Sequence, residues 1–213
     1  MKMEMLEAKG SRSEISNSAI KIPAGSSAQL LFIYENEEKE NRISMEKNSS
    51  LQVFSIFRGG SKINNSFSLG ENSRLEIQDI FYGNVKVENS IPMEDKGCSL
   101  NLMAKGAIRA NESSSYLAFA SIGKNAPGAS VNLEEHAFLL GKGAKANLLP
   151  GLEIRNNEVV ARHASSVSEL DKEQIFYLMS RGLSEKEAEE EIISGFLSRE
   201  LARMKNIFGC ERA

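Results

Sequence analysis

The sequence predicts a mainly β fold of short strands, followed by a small α-helical hairpin. Two observations predict the strands: apolar pairs recur between residues 19 and 167, and clusters of Gly, Asn and Ser separate them. A third predicts the hairpin, because the apolar period becomes helical after Val167. We therefore expect a tail or first strand at 1–18, a β core at 19–167 and a helical segment at 168–213.

Composition excludes several classes of protein. The chain has 213 residues, 41% hydrophobic and 26% charged, which is ordinary for a globular protein and enough for a core without disulfides. The formal charge of −3 offers no excess of positive charge to hold a phosphate backbone, so we expect no nucleic acid partner. No apolar run exceeds five residues, so we expect a cytoplasmic protein that does not enter a membrane.

A weak repeat runs through the β region, in which a small or polar pair precedes two apolar residues spaced by two. Its copies begin at Ala28, Ser49, Ser73 and Cys98. The leucines in these copies are 21, 24 and 25 residues apart, a spacing that suits one coil of a β-solenoid. They are Leu30, Leu51, Leu75 and Leu100.

Strand alternation predicts which side chains of each coil point inward. The inward pairs, which would stack from coil to coil, are Leu51/Val53, Leu75/Ile77 and Leu100/Leu102. Gln52, Glu76 and Asn101 would face outward. A β-sandwich or antiparallel barrel also has short strands and Gly-rich turns, and periodicity alone does not choose between these folds. Recurrent Asn and Gly turns with only four prolines slightly favour the solenoid.

The last region contains two helix starts. Asp171 and Gln174 have the spacing of a capping box, and Gly182 ends the first helix. Ser184 and Glu187 form a second capping box, before an apolar stripe that continues through about Met204. The hairpin is too small to fold alone, so its stripe must pack on the β region or on a partner.

The two cysteines do not form a metal motif. Cys98 and Cys210 lie 112 positions apart without a CxxC or a Cys/His cluster, so we expect reduced thiols. Cys98 occupies the turn position that Ser49 and Ser73 fill in earlier coils, which indicates a structural role. Cys210 lies near the terminus and is either incidental or able to contact metal.

A specific set of motifs lies between Phe138 and Phe196. These motifs are Pro150-Gly-Leu-Glu-Ile, the His163-Ala stretch that leads to Asp171, Phe176-Tyr-Leu-Met-Ser-Arg-Gly182, and the helix from Ala188 to Phe196. Together they resemble the C-terminal part of the SufB/SufD family, the scaffold subunits of the SUF iron–sulfur cluster assembly machinery.

The resemblance implies a right-handed parallel β-helix (β-solenoid) with a C-terminal helical hairpin. It also implies a dimer with itself or a SufB/SufD paralogue, and a SufC-type ABC ATPase docked on the helical end, where Arg181 and Gly182 match the docking region. Phe176 and Tyr177 are further docking candidates, and they could face either this ATPase or the β-helix. The resemblance further implies a scaffold that is no enzyme and binds no nucleotide, and the absence of a Gly-x-x-x-x-Gly-Lys-Ser/Thr segment agrees with this expectation. The β-helix of this short chain leaves little room for the N-terminal helical segment of many members.

The resemblance also names two candidate ligands for a transient iron–sulfur cluster. His163 matches the SufD-branch histidine implicated in cluster formation, and Glu135 stands where the SufB branch has a cysteine. Imidazole and carboxylate can both bind iron, so the two could form a mixed site across a dimer. A hydrogen-bonded interface histidine is the alternative for His163. Glu134 and Glu135 should point to opposite faces of one strand.

Three functions compete at this point. The first is a non-enzymatic scaffold for cluster assembly, driven by the ATPase. The second is a regulatory or structural homologue that binds the ATPase but handles no cluster. The third, a β-helix enzyme acting on polysaccharide, is disfavoured because aromatic residues make up only 7% of the chain and there is no Trp to stack on sugars.

Overall fold

The computed structural model describes the backbone of residues 3–7 and 17–209 and the side chains of residues 19–209. Cys210 lies outside the described residues. The strands are β1 Met3–Glu7, β2 Asn17–Ile22, β3 Ser27–Glu35, β4 Glu38–Met45, β5 Ser50–Arg58, β6 Lys62–Leu69, β7 Arg74–Tyr82, β8 Lys86–Met93, β9 Ser99–Arg109, β10 Ser113–Ile122, β11 Ser130–Leu140, β12 Lys145–Ile154 and β13 Val160–Glu169. The helices are α1 Lys172–Ser180 and α2 Glu185–Phe208. Within this described part, no helix is long and apolar enough to cross a membrane.

The strands form two parallel sheets. Sheet A has the order β1-β3-β5-β7-β9-β11-β13, and sheet B has the order β12-β10-β8-β6-β4-β2. Successive strands alternate between the sheets, so the chain winds in coils that each add one strand to either sheet. Every pairing among the described strands is parallel, which confirms the β-solenoid and excludes the antiparallel alternatives.

The predicted inward rows are present, with one correction. Leu51 pairs in register with Leu75 and Leu75 with Leu100, and all three are buried. The residue that aligns with Leu51 in the preceding coil is Ala28, not Leu30, so the predicted register of that coil was wrong by two residues. Leu30 and Ala28 both face inward, and the period-two pattern could not decide which of them begins the row.

Outward side chains of sheet A form a hydrogen-bonded ladder. Gln29 donates to Gln52 over 2.7 Å, and Gln52 donates to Glu76 over 2.8 Å. At the turns, Asn36, Asn48, Asn72 and Asn111 have positive φ, which explains why Asn recurs there. Cys98 is buried and its Sγ lies 3.2 Å from the Gly70 carbonyl oxygen, in agreement with a structural role.

A line of polar side chains crosses the interior of the β-helix. Asn41, Asn65 and Asn89 stack on sheet B, and each amide donates to the next over 2.8 Å. Asn89 also donates to the Tyr116 hydroxyl, which in turn donates to the carboxyl group of Asp79. Asp79 is fully buried, and burial raises its pKa to about 6 although its hydrogen bonds act in the opposite direction.

The helix caps follow the predicted pattern, apart from one partner. Asp171 caps α1 by accepting from the amide of Glu173, so the predicted capping box with Gln174 does not form. Ser184 and Glu187 form the predicted capping box of α2. Gly182 has a φ of 102°, a backbone conformation that other residues seldom adopt, and it follows the end of α1.

Helix α2 packs on the outer face of sheet A. Its apolar contacts form a second core of buried residues: Leu197, Met204 and Phe208 of α2 against Leu31, Phe54, Ile56 and Ile80. Each such side chain contributes about 1.5–3 kcal/mol when fully buried. Two edge-to-face ring pairs mark the ends of this contact, Phe54 with Phe208 at 5.5 Å and Phe138 with Phe196 at 4.7 Å. Helix α1, in contrast, has no buried residue.

Charged contacts fix α2 on the sheet. The Nζ atom of Lys105 lies 2.9 Å from Oε2 of Glu200, donates to the Phe196 carbonyl oxygen over 2.7 Å and lies over the Phe196 ring. Arg203 of α2 forms a second ion pair, 2.7 Å from Glu76. Lys105 and Glu200 are both nearly buried. Removal of either side chain would therefore leave the charge of the other without a partner and away from water.

We predict that Lys105→Ala lowers the free energy of unfolding by about 3–5 kcal/mol, since it leaves the Glu200 carboxylate buried without a counterion. Lys186→Ala, which removes an exposed ion pair with Glu190 on the same helix, should cost less than about 0.5 kcal/mol. Urea unfolding measures both variants. If both variants lowered the free energy of unfolding equally, the ion pair of Lys105 with Glu200 would not hold α2 on the sheet.

Candidate functional site

The candidate ligands lie in the last coils of the β-helix. Glu135 is on β11, and His163 is on β13, which is the last strand of sheet A and pairs with β11 alone among the described strands. The register pairs Leu133 with His163 and Glu135 with Ser165. Side chains in register share a face, so Glu135 and His163 are diagonal neighbours on the inner face of sheet A.

Glu135 points into the interior and is completely buried, with 0% of its surface exposed. Burial raises its pKa to about 8, although the backbone amides of Ala118 and Leu149 lie close enough to oppose the shift. Neither carboxyl oxygen has a hydrogen bond of normal geometry. The group is therefore held neutral, with its proton bound, near pH 7, and it must lose that proton before it can bind a cation.

His163 is exposed at the end of the coil, where its ring reaches across to sheet B. Its Nδ1 atom lies 2.9 Å from the carbonyl oxygen of Pro150 on β12. A carbonyl oxygen only accepts, so Nδ1 carries the proton of the neutral ring and Nε2 keeps its lone pair. This is the arrangement found in many metal-binding histidines, in which the second nitrogen donates to the protein.

The neighbours of Glu135 on the same strand face the other way. Glu134 and His136 lie on the outer face, where Nδ1 of His136 is 2.7 Å from the Ser166 hydroxyl and its Nε2 is 3.8 Å from Glu134. Asn132 donates to Glu134 over 2.8 Å. The expectation that Glu134 and Glu135 point to opposite faces is thus confirmed.

Within the described part of the chain, the candidate ligands belong to no larger group of metal-binding side chains. Among the described residues, no three His, Cys, Asp or Glu side chains come together as a cation site. Glu135 has a carboxyl group in the interior of the last coils, and His163 has an imidazole nitrogen at their exposed end. Their role as cluster ligands stays a prediction.

The predicted docking residues lie together on α1 and the turn that follows it. Phe176 and Tyr177 are 74% and 56% exposed, which is unusual for aromatic residues. Arg181 stacks on the Tyr177 ring at 5.2 Å and donates to its hydroxyl over 3.1 Å. Gly182 ends the helix beside them.

Two features of the site were not anticipated from the sequence. The first is the interior line from Asn41 to Asp79, whose only signal was the 24-residue spacing of Asn41, Asn65 and Asn89. The second is a groove between α1 and the turn from β11 to β12. The groove is formed by tertiary contacts, so no local pattern marks it.

Comparison with known proteins agrees with this architecture. The family described as "SUF system FeS cluster assembly, SufBD core domain" matches residues 2–196. The chain therefore belongs to the SufB/SufD family of the SUF iron–sulfur cluster assembly system.

Two curated relatives illustrate the extent of the similarity. The iron-sulfur cluster assembly protein SufB of Bacillus subtilis is 33% identical over 99 residues, which is 46% of this chain and 21% of that protein. An iron-sulfur cluster assembly SufBD family protein of Staphylococcus aureus is 38% identical over 82 residues, 38% of this chain and 18% of that protein. The matched part thus spans about a fifth of each of these longer relatives.

We predict that Glu135→Gln stabilises the fold increasingly as the pH rises. The pKa of Glu135 is about 8 in the folded chain, against about 4.3 for an unfolded Glu. Between these values the unfolded chain ionises first, so the wild type loses stability that a neutral glutamine retains.

The free energy of unfolding at about pH 5, 7 and 9 measures this effect as a widening gap between variant and wild type. Glu134→Gln, one residue away on the outer face, is the matched control and should show no such widening. A constant gap for Glu135→Gln would contradict a buried, neutral carboxyl group.

Proposed function

We propose that the chain is a non-catalytic scaffold subunit of a SUF-type iron–sulfur cluster assembly complex. The observation that carries the proposal is that Glu135 and His163, from two paired strands, share the inner face of sheet A in the last coils of a SufB/SufD-family β-helix. The chain supplies ligands that hold a cluster transiently as cargo. A SufC-type ABC ATPase supplies the energy for the cycle.

A second protomer completes the site in this proposal. Among the strands that the structure describes, β12 and β13 each have a neighbour on one side, and the other edge of each is open for backbone pairing. Large apolar side chains at this end are also exposed, namely Leu149, Ile154, Val160 and Val167. Their burial against a copy of the chain or a SufB/SufD paralogue would bring further ligands to His163.

The ATPase docks on the helical hairpin. Phe176 and Tyr177 leave large apolar surfaces in water although α2 of the same hairpin is well packed. Buried aromatic anchors commonly provide most of the affinity of an interface. We assign Phe176, Tyr177, Arg181 and Gly182 to this contact, as the motif resemblance implies.

The cluster-ligand proposal predicts that His163→Ala lowers the iron and sulfide bound by the anaerobically assembled complex to background. His136→Ala, which removes the outward histidine of the adjacent coil, is the matched control and should retain the cluster. Iron and sulfide content with the visible absorption spectrum measure the outcome. If His163→Ala keeps the cluster and the ATPase, the chain is a structural or regulatory subunit without cluster chemistry.

The docking proposal predicts that Phe176→Ala weakens binding of the ATPase by at least about tenfold, as expected for an anchor worth more than about 1.4 kcal/mol. Deletion of the hairpin is a poor test, because it would uncover Leu31, Phe54 and Ile80. Phe119→Ala, an exposed aromatic residue on sheet B, is the control and should not alter binding. Calorimetry with the purified ATPase measures the affinities, and unchanged affinity for Phe176→Ala would refute docking at this surface.

A further inference from the structure

The exposed face of α1 borders a groove of about 680 Å³. The turn at residues 139–144 forms one wall, and Ile175, Phe176 and Met179 of α1 form the apolar part of the other. Phe176 and Met179 are both exposed, so the groove is open to a partner. We call this surface, with the first turns of α2, the hairpin groove.

The hairpin groove lies in the most acidic part of the chain. Residues 169–191 carry eight acidic and three basic side chains, whereas the whole chain is nearly balanced, with 29 acidic and 26 basic. Glu169, Glu185 and Glu189 line the groove. Among the described residues none of these three carboxylates has an ion pair, and the ion pair in this region joins Lys186 to Glu190. Lys142 and Lys172 also line the groove, and neither forms an ion pair with another described residue.

Helix stability explains only part of this charge. Glu185 and Glu187 lie in the first turn of α2, where the helix dipole favours acidic residues, and Glu187 belongs to the capping box. Glu169 precedes both helices, and Glu189 follows the first turn of α2. The carboxylates of Glu169 and Glu189 lie next to an exposed apolar wall, and neither takes part in a described ion pair.

We propose that the partner surface that covers the hairpin groove is basic, with an apolar centre that receives Phe176. This inference rests on the proposed docking of the ATPase subunit and adds the chemistry of its contact face. Complementary charge at the rim of an interface accelerates association, whereas the buried apolar anchor slows dissociation. The two kinds of residue therefore have separate kinetic effects.

The test is surface-binding kinetics of the full chain with the purified SufC-type ATPase of the same organism. Glu185→Lys combined with Glu189→Lys should lower the association rate constant about tenfold at low salt, and the difference should vanish at high ionic strength. Lys172→Glu, which adds negative charge to the groove, should raise the association rate constant. Phe176→Ala should raise the dissociation rate constant and leave association nearly unchanged.

Two controls separate charge from folding. The first control is the double variant Glu38→Lys and Glu40→Lys on β4. Both residues are exposed and far along the chain from the hairpin, so the association rate constant should stay unchanged. Thermal unfolding followed by circular dichroism checks that the α2 variants retain their helix. If the double lysine variant unfolds α2, the double variant Glu185→Gln and Glu189→Gln removes the two charges without reversing them.

The outcomes distinguish the two proposals. If Phe176→Ala weakens binding but every charge variant associates like the wild type, the basic-partner inference is wrong and the docking proposal stands. If neither the charge variants nor Phe176→Ala alters binding, or if no complex forms, docking at this surface is refuted. A wild-type homodimer that Phe176→Ala abolishes would identify a second copy as the occupant and overturn the inference.

Discussion

The in-register hydrogen-bond ladder between parallel strands is the constraint on which the rest of this structure depends. Each coil places its backbone donors and acceptors opposite those of the next, so every residue of one strand has a fixed partner in its neighbour. Leu51, Leu75 and Leu100 must then occupy one interior row, and a change of one residue would expose that whole side of a strand. The apolar core is the consequence of this register, coil after coil.

The same register explains why a carboxyl group lies inside the β-helix. One row of sheet A runs Ser55, Asp79, Ala104, Glu135, Ser165. Small and polar side chains recur in this row, which lies between apolar rows. The asparagine ladder of sheet B faces the first part of the row. One carboxyl oxygen of Asp79 accepts a hydrogen bond from Tyr116 there, whereas neither oxygen of Glu135, near the end of the coil stack, has such a donor. A position of the fold that accepts polar residues thus holds, near the last coil, a buried carboxyl group without a hydrogen-bond donor.

Sequence patterns predicted most of the fold and less of the site. The repeats around Leu51, Leu75 and Leu100 established the coils because each buried row is periodic along the chain. They placed the first coil two residues out of register, since Ala28 and Leu30 are both apolar and both inward. Alternation separated Glu134 from Glu135, but it could not show that His163 reaches Pro150 on the opposite sheet. Contacts between sheets depend on how coils close, which no local pattern records.

Helix α2 has a mechanical consequence for the solenoid. In a stack of repeats each coil contacts only its neighbours, so end coils can fray independently of the middle. Helix α2 touches Phe54 on β5 through Phe208 and Phe138 on β11 through Phe196, with Lys105 on β9 between them. Helix α2 thus lies across the outer face of sheet A and connects its strands from β5 to β11. The strand that carries Glu135 therefore shares the stability of the middle of the protein and does not open alone.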